Sequence, residues 1–322
     1  MEKQNLIDIK IKEKQLKPVQ LYFIGFIKFI SMIVIIRVHL ISHDKLFYAV
    51  RACELLFISS CFLVGYNYIN KNVPDTFNYS FKYYYKHLRN CYPLYLLNFL
   101  YGVISHIKEI KFDLTSVELF LINIFMLQIW SRHRKLVSFY NGISWFLHDL
   151  LICYFLTPLL LKGINSIKKS LIFFTFFALT RIILDEFLNH GAFNIFDTHL
   201  HDGPIVRIFE FYLGMLIIPT FLKIKRYLDI YQIKFPNFFF KMIFTIIPIL
   251  STIILYYILA NSSNLFRCYF ILIFCLYIFI IGFEFGYFPK IISNRIFQMI
   301  MNPQMEMYLS HISINNMIEK II

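Results

Sequence analysis

The 322-residue chain has no polar stretch long enough to hold a separate water-soluble domain. None of its six cysteines, Cys53, Cys61, Cys91, Cys153, Cys268 and Cys275, forms a Cys-x-x-C pair, and all lie within or beside apolar blocks. That excludes a clustered thiolate metal site or disulfide framework and leaves them as small core residues. The basic residues form no single patch. Although the net charge is +13, Lys and Arg fall in short stretches at the ends of apolar blocks. This is the pattern of membrane flanking and not of a nucleic-acid surface. Residues 1 to 20 carry Lys3, Lys10, Lys12, Lys14 and Lys17, and no small-residue cleavage motif follows them. A cytoplasmic basic tail before an uncleaved first helix is expected. No internal repeat is seen, and no apolar run has coiled-coil length.

What is present is hydrophobicity: 58% of the residues are apolar and the mean hydropathy is +0.62, against roughly 45 to 50% apolar in a soluble domain. The excess is divided into blocks of about 15 to 22 residues, the length of a bilayer crossing. The expected fold is all-α: a polytopic transmembrane bundle of about ten spans. The spans are expected near 21–42, 47–69, 90–106, 114–130, 142–161, 168–187, 205–222, 238–260, 264–284 and 296–318. Residues 21–322 would form one domain. With the tail inside, the loops holding Lys71, Lys82, Lys86 and Arg89, and then Arg132, Arg134 and Lys135, are cytoplasmic. Lys223, Lys225, Arg226 and Lys234 then fall outside, so one segment between about 90 and 190 is re-entrant, or the charge bias carries no topology.

Ionisable groups inside such spans are costly and mark candidate sites. Lys28 and His39 share the first span. Eleven residues correspond to about 1100° of helix, so the two side chains lie on one face, roughly 16 Å apart along the axis. An imidazole is a general base near neutral pH, and an ammonium can neutralise a phosphate. The plainer reading is a snorkelling Lys and a hydrogen-bonded His. Arg207 and Glu210, three apart, read as a buried ion pair, and Glu54 reads as paired to Arg51 or as a cleft carboxylate. Arg89, just before Tyr92-Pro93, either snorkels or holds a phosphate. Trp145 and Tyr154 are interfacial anchors or stacking platforms. The stretch 190–203, with His190, Asp197, His199, His201 and Asp202, fits no zinc signature; solvation or acceptor contact is expected, and no metal.

Taken together, these segments resemble the acyltransferase-3 family of integral membrane O-acyltransferases. Lys28-x10-His39 is similar to its Arg/Lys-x10-His first-helix pattern. ELLFISSCFLVGY (54–66) is similar to its second-helix stretch around Ser-Gly, with Ser60-Cys61 in that place. KHLRNCYPLYLL (86–97) resembles its basic stretch leading into Tyr-Pro, with Arg89 at a position implicated in donor binding. LINIFMLQIW (121–130) and NGISWFLHDLLICYFLTPLL (141–160) resemble its Gln-x-Trp and Ser-Trp-x-Leu segments, with Leu150 and Leu151 where some members carry a Glu pair. GPIVRIFEFYLGML (203–216) places Arg207, Glu210 and Gly214 in register. MEMYLSH (305–311) resembles its closing Tyr-Leu-x-His motif and adds His311.

The resemblance implies a multi-pass protein of the cell membrane that moves an acyl group, usually acetyl, from acetyl-CoA (acyl-CoA) on the cytoplasmic side to a hydroxyl of a surface saccharide. His39 is then the expected catalytic base, with a covalent acyl-histidine relay as a variant. Lys28 and Arg89 are the expected donor ligands. Glu54, Ser60, Trp145, Tyr154, Arg207, Glu210 and His311 are supporting or acceptor-site candidates. No permanently bound cofactor is expected, and the partners are acyl-CoA, the saccharide and membrane lipids. A secondary transporter, a lipid-linked sugar flippase, or a non-catalytic export accessory are the competing readings, although no evident repeat supports the first two.

Overall fold

The computed structural model describes residues 21–41, 46–68, 77–105, 107, 113–127, 144–164, 166–189, 204–230, 238–261, 270–284 and 286–321. Among them the chain is helical and contains no strand. A helix closes its backbone hydrogen bonds within one segment, so the apolar blocks can pack with no exposed N–H or C=O. The long helices are α1 (Tyr22–Ile41), α2 (Leu46–Tyr68), α3 (Phe77–Ser105), α5 (Ser144–Leu160), α6 (Ile167–Asn189), α9 (Phe238–Asn261) and α13 (Gln304–Ile321). Shorter ones are α4 (Leu114–Ile124), α7 (Pro204–Leu216), α8 (Ile218–Ile230), α10 (Phe270–Ile281), α11 (Phe288–Ile292) and α12 (Arg295–Met301). Two segments, Tyr22–Leu40 and Ala49–Tyr68, are long and apolar enough to cross a membrane.

Several expected spans have different bounds, for identifiable reasons. The block at 205–222 is two helices that meet at Ile217. Pro219 has no N–H to give to Met215 and its ring crowds that carbonyl, so one continuous helix is disfavoured. At the break the carbonyl of Leu216, the last residue of α7, accepts from Ser170 Oγ of α6, at 2.9 Å. Pro303 divides the block at 296–318 in the same way, between α12 and α13. The helix expected to start near 90 begins at Phe77. The one expected over 114–130 ends at Ile124, where Met126 turns at φ 56°. The closing carbonyls of α4 are taken by tyrosines of α3: Tyr92 Oη donates to Ile124 O at 3.0 Å, and Tyr95 Oη to Asn123 O. Gln128, Trp130, the basic tail, the loop at 132–135 and the histidine-rich stretch 190–203 lie outside the described residues.

At the centre stands α2, buried almost throughout from Ala49 to Phe62. It is flanked by α1, α7 and α10, while α3 lies against α5 and α13. The approach of α2 to α7 is set by Gly214, where an added Cβ would stand 2.1 Å from the Ile58 carbonyl oxygen. Only a residue without Cβ permits that backbone contact. The close approach near Ser60-Cys61 is therefore supplied by the glycine of the facing helix, with Ser60 itself buried in α2.

The N-terminal end of α1 is clamped by the C-terminal third of the chain. Glu284 accepts from the Phe23 N–H at 3.0 Å and Gln304 donates to Gly25 O at 3.1 Å. The rings of Phe23, Phe26 and Phe288 close edge to face around the contact. The outside of the bundle is oily. Leu171, Ile172, Phe173, Phe176, Leu179 and Ile183 of α6 are exposed, as are Ile246, Ile247, Leu250, Ile253 and Ile254 of α9 and Leu97, Leu100 and Ile104 of α3.

Candidate functional site

The first element of the site is α1, which carries both Lys28 and His39. His39 sits in its last turn, half-buried, and faces α13. There it meets His311, with ring centres 5.4 Å apart and the planes tilted by 37°. These two histidines come from opposite ends of the sequence. His311 is only 5% exposed, and its Nδ1 lies 2.6 Å from the Tyr308 carbonyl oxygen. A carbonyl can only accept, so Nδ1 carries the proton and the lone pair of the neutral ring is on Nε2. Nε2 is buried and has no hydrogen-bond partner among the described residues. Tyr308 and Phe146 form the adjoining wall, with ring centres 5.1 Å apart.

A second cluster is made of rings on α3 and α5. The His87 ring lies 4.2 Å from that of Tyr154 on α5 and 4.6 Å from that of Tyr83. Tyr154 is thus packed among rings inside the bundle. His87 has no distinguishing spacing in the sequence; only the packing of α3 on α5 brings it to Tyr154. Arg89, two residues further on, stands on the exposed side of α3. Two residues are about 200° of helix, so His87 and Arg89 project from opposite faces.

The third cluster is a buried ion network that joins three helices. Arg51 is bonded to Glu54 within α2 at 2.6 and 2.7 Å, and Arg207 to Glu210 within α7 at 2.6 Å. Arg181 of α6 ties the two pairs together, reaching Glu210 at 3.0 and 3.1 Å and Glu54 at 3.4 Å. All five are buried, the least so Arg51 at 2% exposure. Asp149 of α5 is fully buried as well. Three guanidinium groups therefore share the two carboxylates of Glu54 and Glu210. Charges out of water persist when paired and hydrogen-bonded. Trp145 lies beneath Arg207, whose guanidinium carbon is 5.4 Å from its ring centre, with Phe57 at 5.7 Å.

The structure thus joins His39 to His311 and Arg207 to Glu210 and Trp145, and it gives Glu54 both Arg51 and a second arginine. Arg181 and His87 belong to these clusters and, like the buried Asp149, escape a reading of the sequence. The two pairs at i, i+3 show in the spacing; Arg181 reaches carboxylates on two other helices, which spacing along α6 does not show. A buried charge in an apolar block is the one sequence signal that points to Arg181 or Asp149. No family model, curated protein or solved structure matches the chain.

Proposed function

We propose that the chain is a multi-pass membrane O-acyltransferase that moves an acyl group, acetyl in the first instance, from acyl-CoA to a saccharide hydroxyl. The observation that carries this reading is the meeting of His39, on the helix that bears Lys28, with His311 of α13. α1 offers a cation towards one end and, at the other, a histidine completed to a pair by α13. A separation of roughly 16 Å suits an extended thioester donor whose phosphates sit near Lys28 and whose acyl carbon reaches the histidines.

Membrane residence is supported by the distribution of polarity. The outward faces of α3, α6 and α9 are apolar, whereas charge is collected inside the bundle. A water-soluble protein rarely exposes contiguous apolar surface on that scale, and lipid is the medium that such faces suit. About ten crossings, with the helix break at Ile217 answered by the Ser170 hydroxyl, remain our reading of the topology. The acceptor is a saccharide at the cell surface on the strength of the ordered motifs.

In the mechanism His39 removes the proton of the acceptor hydroxyl as its oxygen attacks the thioester carbonyl. Lys28 neutralises donor phosphate, and the ring pair His87–Tyr154 offers a flat surface for the donor's base. Arg89, on the exposed side of α3, meets phosphate from outside that cluster.

The test is transfer of radiolabelled acetyl from acetyl-CoA in membranes that contain the protein. Wild-type protein is expected to label the surface glycan, and His39→Ala to abolish labelling while inserting normally. Wild-type labelling in His39→Ala would remove the general-base role. Transport of a substrate with no loss of thioester would instead identify a transporter.

A further inference from the structure

We propose that His311 is a second catalytic residue: it receives at Nε2 the proton that His39 takes from the acceptor and delivers it to the departing sulphur. This deepens the acyl-transfer reading above and rests on it. Three observations carry it. The Nδ1–H is committed to the Tyr308 carbonyl, at 2.6 Å. Nε2 is buried, has no hydrogen-bond partner among the described residues, and belongs to a side chain 95% removed from solvent. The ring of His39 is 5.4 Å away, centre to centre.

Because Nδ1 stays bound to the carbonyl in both protonation states, all exchange at His311 occurs at Nε2. The ring can gain and lose one proton there without turning. A backbone carbonyl also supports the imidazolium when it forms. Two imidazoles this close do not both carry charge readily, so the pair holds one extra proton at a time. Rings with centres 5.4 Å apart can both reach one oxygen at hydrogen-bond distance, and the acceptor hydroxyl is the group this geometry suits.

The step balances with both rings neutral before and after. The hydroxyl proton moves to His39 as the O–C bond forms at the thioester carbon. It passes to Nε2 of His311. The C–S bond then breaks with its electron pair on sulphur, and His311 protonates the thiolate to give free CoA thiol. The ester product and the thiol leave, and no further reactant is needed. Base and acid stand on two helices, so neither ring has to swing between oxygen and sulphur.

His311→Asn retains a side-chain N–H for the Tyr308 carbonyl and deletes Nε2. In detergent-solubilised full-length protein the expected result is a fall in kcat of about a hundredfold, within the range of acid–base catalysis, with KM for acetyl-CoA changed less than twofold. Added imidazole is expected to recover part of the rate in His311→Ala. Nitrogen NMR of histidine-labelled protein is expected to find His311 as the Nδ1–H tautomer. A kcat in His311→Asn within threefold of an active wild type overturns the relay and leaves acyl transfer standing, as does an Nε2–H tautomer. Absence of transfer in wild type overturns the acyl-transfer reading and the catalytic role with it.

Discussion

Arg181 shows what a single buried side chain does here. It is fully buried and is bonded to Glu210 of α7 and Glu54 of α2. Removing one member of such a network leaves the others under-compensated in a medium that cannot solvate them, at a cost of about 3 to 5 kcal/mol. Arg181→Met is expected to lower the thermal midpoint in detergent sharply, and an unchanged midpoint would show that the network is not structural. Arg181→Lys retains the charge but loses the planar fork that serves both carboxylates. It is expected to fall between Arg181→Met and wild type. His39 acts at the same scale, and its replacement is expected to affect transfer and not stability, since it is half-buried at the end of a helix.

Among helices, the contact of α2 with α7 depends on Gly214. Gly214→Ala would drive a methyl to 2.1 Å from the Ile58 carbonyl oxygen, and the helices must then part. The expected loss is about 2 to 3 kcal/mol, as for overpacking at a tight site. Gly25→Ala in α1 is the control, because an added Cβ there meets nothing within 4 Å and alanine favours helix by about 0.5 to 1 kcal/mol. Equal thermal midpoints for the two variants would contradict the close crossing. A second contact at this scale is the cap of α1 by Glu284, whose own backbone is held at φ 52°. Glu284→Ala is expected to cost about 1 kcal/mol and to speed hydrogen exchange at the Phe23 amide. Unchanged exchange at that amide would show that another group holds the helix end.

For the whole molecule, the arrangement of polarity leads to a simple expectation. With apolar rows outward on α3, α6 and α9 and paired charge within, the protein is expected to stay in the membrane pellet through alkaline carbonate extraction and to need detergent for release. Recovery in the aqueous supernatant would contradict the multi-pass reading. Positions in the apolar rows, such as Phe176 and Leu250, are expected to accept other apolar residues freely. The same change at Phe57 or Phe62, buried in α2, is expected to destabilise.

Composition and block length alone determine that the chain is helical and strongly apolar, because long apolar runs leave the backbone few ways to pair its polar groups. Spacing alone brings Arg51 within reach of Glu54 and Arg207 within reach of Glu210, since residues three apart share a helix face, and the packed structure makes both pairs. It likewise aligns Lys28 with His39. Local sequence also holds the reason for the breaks at Pro219 and Pro303, although block length conceals them. The meeting of His39 with His311, of Arg181 with two carboxylates from other helices, and of His87 with Tyr154 was decided only by tertiary packing. Each joins residues far apart in the chain, and nothing in local spacing encodes which helix faces which. The glycine that brings α2 against α7 is visible in the sequence, but the carbonyl it must clear belongs to another helix.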